Sequence, residues 1–349
     1  MTVLPPTPRR RPDITRLITT LRRGRADCVP NAELGVSPVI KELLIGRPVV
    51  TLEDDIEFWH RAEYDYIKLQ PGADFNPAGV GSSRNVTVSE EGGIRRKWAS
   101  ESRGVISSEA DLDDYRFPSK EDFDYSKLDR IPSCLPDGMG VIGQYGDIFT
   151  MTWEMMGFEQ FSLQVYENPG LVQEINRRVG ELVVSMFERF AASKVVDVLW
   201  YSDDIAYDSG LMVSPRMLQQ YFFPWLRQIG ELARASGKPL IYHSDGVLYD
   251  VLPEIISCGV DALHPIEPKS MKLADVKGRF GDRLALIGHV DVDLLSRGTP
   301  EEVRAVVREN IEVAARSGGY CAGSGNSIPE YVKVENYRAM LDAAYEYGR

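Results

Sequence analysis

From about Cys28 onward, short apolar runs alternate with longer segments of helical spacing. The runs that read as buried strands are Cys28–Leu34, Tyr64–Gln70, Gly140–Tyr145, Val195–Tyr201, Leu240–His243, Val260–Ile266, Leu284–Val290 and Gly319–Ala322. Between them the 3.6-residue period predicts helices over Pro169–Ala192, Pro215–Ser236, Leu248–Cys258, Ser270–Phe280 and Pro300–Ser317. Thr299-Pro300-Glu301-Glu302 is a helix start in itself, with a capping hydroxyl, a proline in the first turn and acids behind it, and Ser214-Pro215 is another.

Eight strands interleaved with helices predict an α/β fold of the (β/α)8 TIM-barrel type. The competing architecture, an open doubly wound sheet, would carry a glycine-rich phosphate loop after its first strand. That place reads Glu33-Leu34-Gly35-Val36-Ser37-Pro38, and no such loop follows any other strand. A barrel needs roughly 250 residues, so part of the 349 is surplus. The expected division is an N-terminal tail and helix over 1–25, then a barrel over 26–349 with an insertion at about 71–138. Within the insertion, Arg84–Val88 and Gly93–Ala99 flank Glu90-Glu91-Gly92-Gly93 as a hairpin, and the whole segment reads as a flap over the barrel mouth. The first 25 residues carry seven arginines and read as a frayed tail followed by a helix capped by Asp13.

A formal net charge of -12 argues against nucleic acid or an anionic membrane as the main partner. The four cysteines, Cys28, Cys134, Cys258 and Cys321, are too widely spaced for a disulfide framework or a thiolate zinc knuckle. Without a membrane-length apolar run or a secretory h-region, the expected location is the cytoplasm.

Catalytic groups of a barrel project from the C-terminal ends of its strands. Those ends read Asn31 and Glu33; Lys68 and Gln70; Gln144, Tyr145 and Asp147; Asp203 and Asp204; His243 and Asp245; His264 and Glu267; His289 and Asp291; Ser324 and Asn326. His243 and Asp245 stand two apart on an extended run, so both face one ligand. They are either two ligands of a divalent ion or a core histidine beside a capping acid. Asp203 and Asp204 offer a general acid/base, a metal ligand or a cation contact, with one of them spent on a cap. Tyr145, set between glycines, is a phenol that orients an anionic oxygen or an aromatic wall. Gln144, Asn31, Glu267 and His289 are assigned to substrate contacts, against loop and cap roles.

Taken together, Gly143-Gln144-Tyr145-Gly146-Asp147, Tyr242-His243-Ser244-Asp245-Gly246, Gly288-His289-Val290-Asp291 and Asn326-Ser327-Ile328-Pro329 resemble the uroporphyrinogen decarboxylase superfamily. The resemblance runs from about Ala26 to Gly348 and includes Val334-Glu335-Asn336. It implies a (β/α)8 barrel and one of two activities, porphyrinogen decarboxylation or methyl transfer involving corrinoids. The decarboxylases carry an arginine-rich motif after the first strand, an aspartate at the end of the second, and a histidine near the C-terminus. Here those places read Pro30-Asn31-Ala32-Glu33-Leu34-Gly35, Ile67-Lys68-Leu69-Gln70 and Asn326. The zinc methyltransferases place His-x-Cys at the fifth strand end and a further cysteine near the eighth, where this chain has His243-Ser244-Asp245 and Asn326. Cys321 lies within an apolar strand and reads as core.

The resemblance therefore implies a methyltransferase acting on a small methylated, O-methyl compound, with a corrinoid on a separate protein as acceptor. His243, Asp245 and Asn326 would hold a divalent metal, zinc. Glu33 and one of Asp203 or Asp204 would complete coordination or act as acid, and Tyr145 would orient the substrate. Replacing thiolates by oxygen ligands hardens the ion toward an ether oxygen. The partners implied are the small-molecule methyl donor, a corrinoid-binding protein and a second copy of the chain in a homodimer. The rival readings are a metal-free decarboxylase-like lyase and a noncatalytic barrel that docks a corrinoid protein or binds a ligand.

Overall fold

Seven of the eight predicted strands form one parallel sheet, β1 (Tyr66–Leu69), β2 (Gly140–Gly146), β3 (Val198–Ser202), β4 (Leu240–His243), β5 (Ala262–His264), β6 (Ala285–Val290) and β7 (Tyr320–Ser324). The computed structural model describes residues 3–72, the backbone of Val86–Glu91 and Ile94–Ala99, and residues 104–349. Each strand pairs with the next in sequence, β1 through β7 without a crossover. That order belongs to a curled barrel wall and not to a doubly wound sheet, so the fold is of the TIM-barrel type. No helix among the described residues is long and apolar enough to cross a membrane.

The eighth predicted strand, Cys28–Leu34, shrinks to a single bridge. Ala32 N–H donates to Ala322 O at 2.8 Å and Ala322 N–H to Pro30 O at 2.9 Å. Pro30 has no N–H to extend a ladder, and Gly35 and Ser37 pair instead with Ile328. Gly323 permits the approach, because a Cβ there would stand 2.1 Å from Ala32 O.

The helix over Pro169–Ala192 forms within its predicted limits, with Asn168 accepting from Leu171 N–H. Its Leu171, Ile175, Val179, Val183 and Phe187 recur on one buried face. The segment Pro215–Ser236 breaks at Phe222 into two helices, because Pro224 lacks a donor and its ring crowds the preceding turn. Helices start later or stop earlier than predicted at Leu252–Ser257, Leu273–Phe280 and Pro300–Ala314. Thr299 and Glu302 close a reciprocal capping box on the last of these. In the insertion, Val86–Glu91 pairs antiparallel with Ile94–Ala99, Glu91 opposite Ile94. Residues 73–85, 92–93 and 100–103 lie outside the described residues, and so does the flap reading where it falls on them.

The N-terminal helix Ile14–Leu21, capped by Asp13, closes the bottom of the barrel. Ile14 N–H donates to Gly138 O, Arg22 Nη2 to Gly237 O, and Gly319 N–H to Gly24 O, while Arg23 pairs with Asp261. Those partners lie just before β2, β4, β7 and β5. The tail ahead of this helix is packed, which corrects the expectation of a frayed segment. Leu4 is buried and bonded to Leu44, and Arg9 grips Glu63 through Nε and Nη2 while Nη1 pairs with Asp342. Underneath β1, Arg16 Nη1 meets Asp65 at 2.5 Å, both side chains buried.

With Arg16 removed, Asp65 would be a buried carboxylate left with the Asp13 N–H at 3.0 Å and Arg10 at 3.9 Å. Arg16→Met should therefore cost about 3–5 kcal/mol in urea unfolding. A loss below about 1 kcal/mol would show that the bottom pair is not holding the barrel closed.

Candidate active site

Strand alternation turns one set of side chains inward at the C-terminal end of the sheet. Lys68 of β1, Gln144 of β2, Trp200 and Ser202 of β3, His243 of β4 and His264 of β5 belong to it. They touch in sequence around the mouth. Lys68 Nζ donates to Gln144 Oε1 at 3.2 Å, and Gln144 Nε2 to Ser202 Oγ at 3.2 Å. Trp200 packs edge-on against His264, with ring centroids 5.1 Å apart. His243 and His264 face each other through Nδ1 at 2.8 Å, so a single proton is shared between those two nitrogens.

His243 Nε2 points to two carboxylates, Asp204 Oδ1 at 3.8 Å and Asp245 Oδ1 at 3.9 Å. All three ligand atoms lie within 4.8 Å of one another. Ligand atoms on a tetrahedral ion with bonds of ~2.0 Å stand roughly 3.3 Å apart, so the set is slightly open. Asp245 Oδ1 is buried with no hydrogen-bond partner, while Oδ2 accepts from Asn326 Nδ2 at 2.5 Å. The loop is fixed by Asp245 N–H donating to Asp204 Oδ1 at 2.8 Å. Gly246 follows at φ +88°, where a Cβ would meet Tyr207 O at 2.5 Å, so only glycine fits.

The electrostatics suit a cation. Burial pushes His243 down to about 4 against the pull of Asp204, and the charge of Lys68 adds to the lowering. His264 is held well below the usual imidazole range by burial, His243 and Lys68. Both rings are therefore neutral at pH 7, the form that ligates. For His243 to offer its Nε2 lone pair, the proton must sit on its Nδ1 and be donated to His264. Burial, reinforced by the negative charges of Asp204 and Glu267, pushes Asp245 up to about 8. A divalent ion would meet the unpaired oxygen and cancel that repulsion, so Asp204, His243 and Asp245 fit one.

Two residues predicted for this cluster, Asp203 and Glu33, stand elsewhere, and a third, Asn326, stands beside it. Asp203, next to Asp204, is fully buried and accepts from Phe149 N–H, Thr150 N–H, Thr150 Oγ1 and Tyr201 OH. It caps the helix Ile148–Met156 and is raised to about 6, burial outweighing four donors. Glu33 is buried against β7, accepting from Ser324 N–H at 2.6 Å and Ser324 Oγ at 2.7 Å. Asn326 donates its amide Nδ2 to Asp245 Oδ2 and so positions that carboxylate.

Tyr145 has the strand parity opposite to Gln144, which directs it to the helix side like its neighbour Tyr201. Asn31 is buried in the bridge to Ala322. Glu267 accepts from Gly246 N–H at 3.1 Å and Ser270 Oγ at 2.7 Å, holding the loop below Asp245. His289, at φ +86°, donates Nδ1–H to Ile266 O at 2.8 Å. Sequence reasoning gave no role to Lys68 or His264, although both close apolar runs.

A family model described as uroporphyrinogen decarboxylase (URO-D) matches residues 97–347. The chain belongs to the uroporphyrinogen decarboxylase family. Its relatives include the uroporphyrinogen decarboxylase of Anaeromyxobacter dehalogenans, 25% identical over 259 residues, 70% of each chain. That of Methylococcus capsulatus is 24% identical over 264 residues, covering 70% of this chain and 71% of that one. Among solved structures, a methyltransferase from Methanosarcina mazei superposes with a TM-score of 0.69 at 18% identity, over 95% of this chain and 98% of that one. The URO-D family fold is thereby shared with a methyltransferase.

Glu33 gives this family member a pH signature. Burial raises its carboxyl from the ordinary 4.5 to about 8. The folded state then holds a proton that the unfolded state has lost, so stability declines as pH rises between those values and levels off above. Glu33→Gln should shed this decline, the stability difference between the two proteins moving in the variant's favour by at most ~1.4 kcal/mol per pH unit. Paired urea titrations from pH 5 to 9 check this, and a pH-independent difference would overturn it.

Proposed function

We propose that this URO-D family member is a methyltransferase that moves a methyl group from a small O-methylated compound to a corrinoid carried by a partner protein. The observation that carries the reading is the Asp204–His243–Asp245 cluster at the barrel mouth, with its unpaired buried oxygen. These three residues would hold a divalent ion, zinc, while Asn326 and His264 fix Asp245 and His243 in place. Bound there, the ion supplies Lewis acidity that favours departure of an alkoxide or phenoxide oxygen. A nitrogen and oxygen donor set suits an oxygen leaving group better than a thiol. The methyltransferase from Methanosarcina mazei supports the reading only as far as a shared fold reaches.

A second reading, a metal-free carboxy-lyase, is favoured by the names of the curated relatives. The two part on metal dependence and on the product.

Metal content of the purified protein is the first test. The expected result is about one zinc per chain, lost in His243→Ala and in Asp245→Ala. His264→Phe should keep the fold and bind zinc roughly 10- to 100-fold more weakly. Methylation of added cob(I)alamin by an O-methyl donor should need the loaded protein. A wild type that stays empty when zinc is offered would sink the methyl-transfer reading, and carbon dioxide release without corrinoid would establish the lyase.

A further inference from the structure

Beside the metal cluster, a cavity of about 480 Å³ opens against the ends of β1 and β2. Its walls are apolar on one side, with Leu34, Val36, Leu52, Trp59 and Leu69 among them. The other side carries Lys68, Gln70 and Gln144. The volume is that of a small-molecule pocket, and the mixture of apolar wall and few convergent polar groups is what such pockets present.

Lys68 is the unusual member. An ammonium has three donors, and Lys68 spends one on Gln144 Oε1 at 3.2 Å. Its Nζ also lies 5.4 Å from the centre of the Trp200 ring. Among the described residues no carboxylate stands within 4.0 Å of it. Half-buried, it feels the carboxylates of Glu33 and Asp55 only from beyond that distance and has no direct ion pair. The other two amines of the cavity differ. Lys41 is paired with Asp55 and packed over Phe58 and Trp59, and Lys127 is solvent-exposed at the rim.

We infer that Lys68 is the seat for a single carboxylate on the substrate, so that the methyl donor is a small monocarboxylic acid with an apolar or aromatic body. Gln70 and Gln144 flank the seat with amide groups, and Gln144 is held by Ser202 from the far side. The apolar wall takes the body of the acid. Lys68 lies close enough to the cluster for its charge to reach His243 and His264. Burial and the repulsion of Lys41, against the weaker pull of Glu33 and Asp55, push the amine down to about 7. One lysine fits one carboxylate, in contrast to the arginine-rich clamp that a polycarboxylate needs. The donor's chemistry rests on the methyl-transfer reading; the anion seat does not.

The test uses para-methoxybenzoate and its neutral analogue anisole, titrated into the full-length protein by calorimetry, with metal content measured on the same samples. Wild type should bind the acid at least ~10-fold tighter than anisole, as expected of a charge-assisted pair. Lys68→Met should lose that ~10-fold while binding anisole as before, and Lys127→Met should stay within about 2-fold of wild type. Lys68→Gln replaces the methionine variant if that one melts early. Equal affinity for the two probes, no binding of the acid by wild type, or full binding by the Lys68 variants would each overturn the seat. Acid binding without metal would keep the seat and remove the methyl-transfer reading. Metal without acid binding would do the reverse.

Discussion

The site depends on one register, the one that sets Ser202, His243 and His264 side by side across β3, β4 and β5. Side chains alternate along a strand, so a slip of one residue would turn His243 outward and bring Tyr242 into the barrel. Several contacts on the outer face oppose that slip. Tyr242 stacks on Tyr201 with centroids 6.0 Å apart, and its hydroxyl donates to Asp203 O at 2.7 Å. Asp203 N–H in turn donates to His243 O at 2.9 Å. The aromatic layer between sheet and helices thus fixes the position of the imidazoles on the opposite face.

The same alternation explains why two adjacent acids have opposite fates. Asp203 is drawn into the layer beneath the mouth, where the N-terminal turn of Ile148–Met156 supplies donors that need an acceptor. Asp204 lies one residue further, at the solvent side of the mouth, where Asp245 N–H and His243 Nε2 face it. A helix cap and a member of the mouth cluster are therefore built from one dipeptide. Substituting Asp203 would disturb Asp204 through the backbone, whereas substituting Asp204 leaves the cap intact.

Much of this was legible in the chain because it rests on local pattern. Apolar runs closed by polar residues gave the strands and their inward ends, and strand parity put His243 and Asp245 on one ligand. What was not legible depends on contacts far apart in sequence. Asn326 and Asp245 are both polar strand-end groups, and only the fold shows that the amide donates to the acid. Glu33 has the composition of a catalytic acid, but Ser324 meets it from 291 positions away. Cys28–Leu34 has the apolarity of a strand, yet Pro30 and the pull of Ile328 leave it with one bridge. Lys68 was visible as a departure from the decarboxylase pattern; its missing counter-ion is a property of the surroundings.

Lys68 and the cluster are coupled by charge. An ammonium near two imidazoles disfavours their protonation, and a proton on His243 is the direct competitor of a metal ion. The lysine is also what a substrate carboxylate would meet. A positive charge beside a cation site ordinarily weakens it, but here Asp204 and Glu267 crowd Asp245 with negative charge, and a cation that took the place of its proton would relieve that repulsion. The charge of Lys68 at the end of β1 thus acts on the pair of imidazoles that the β4–β5 register holds together.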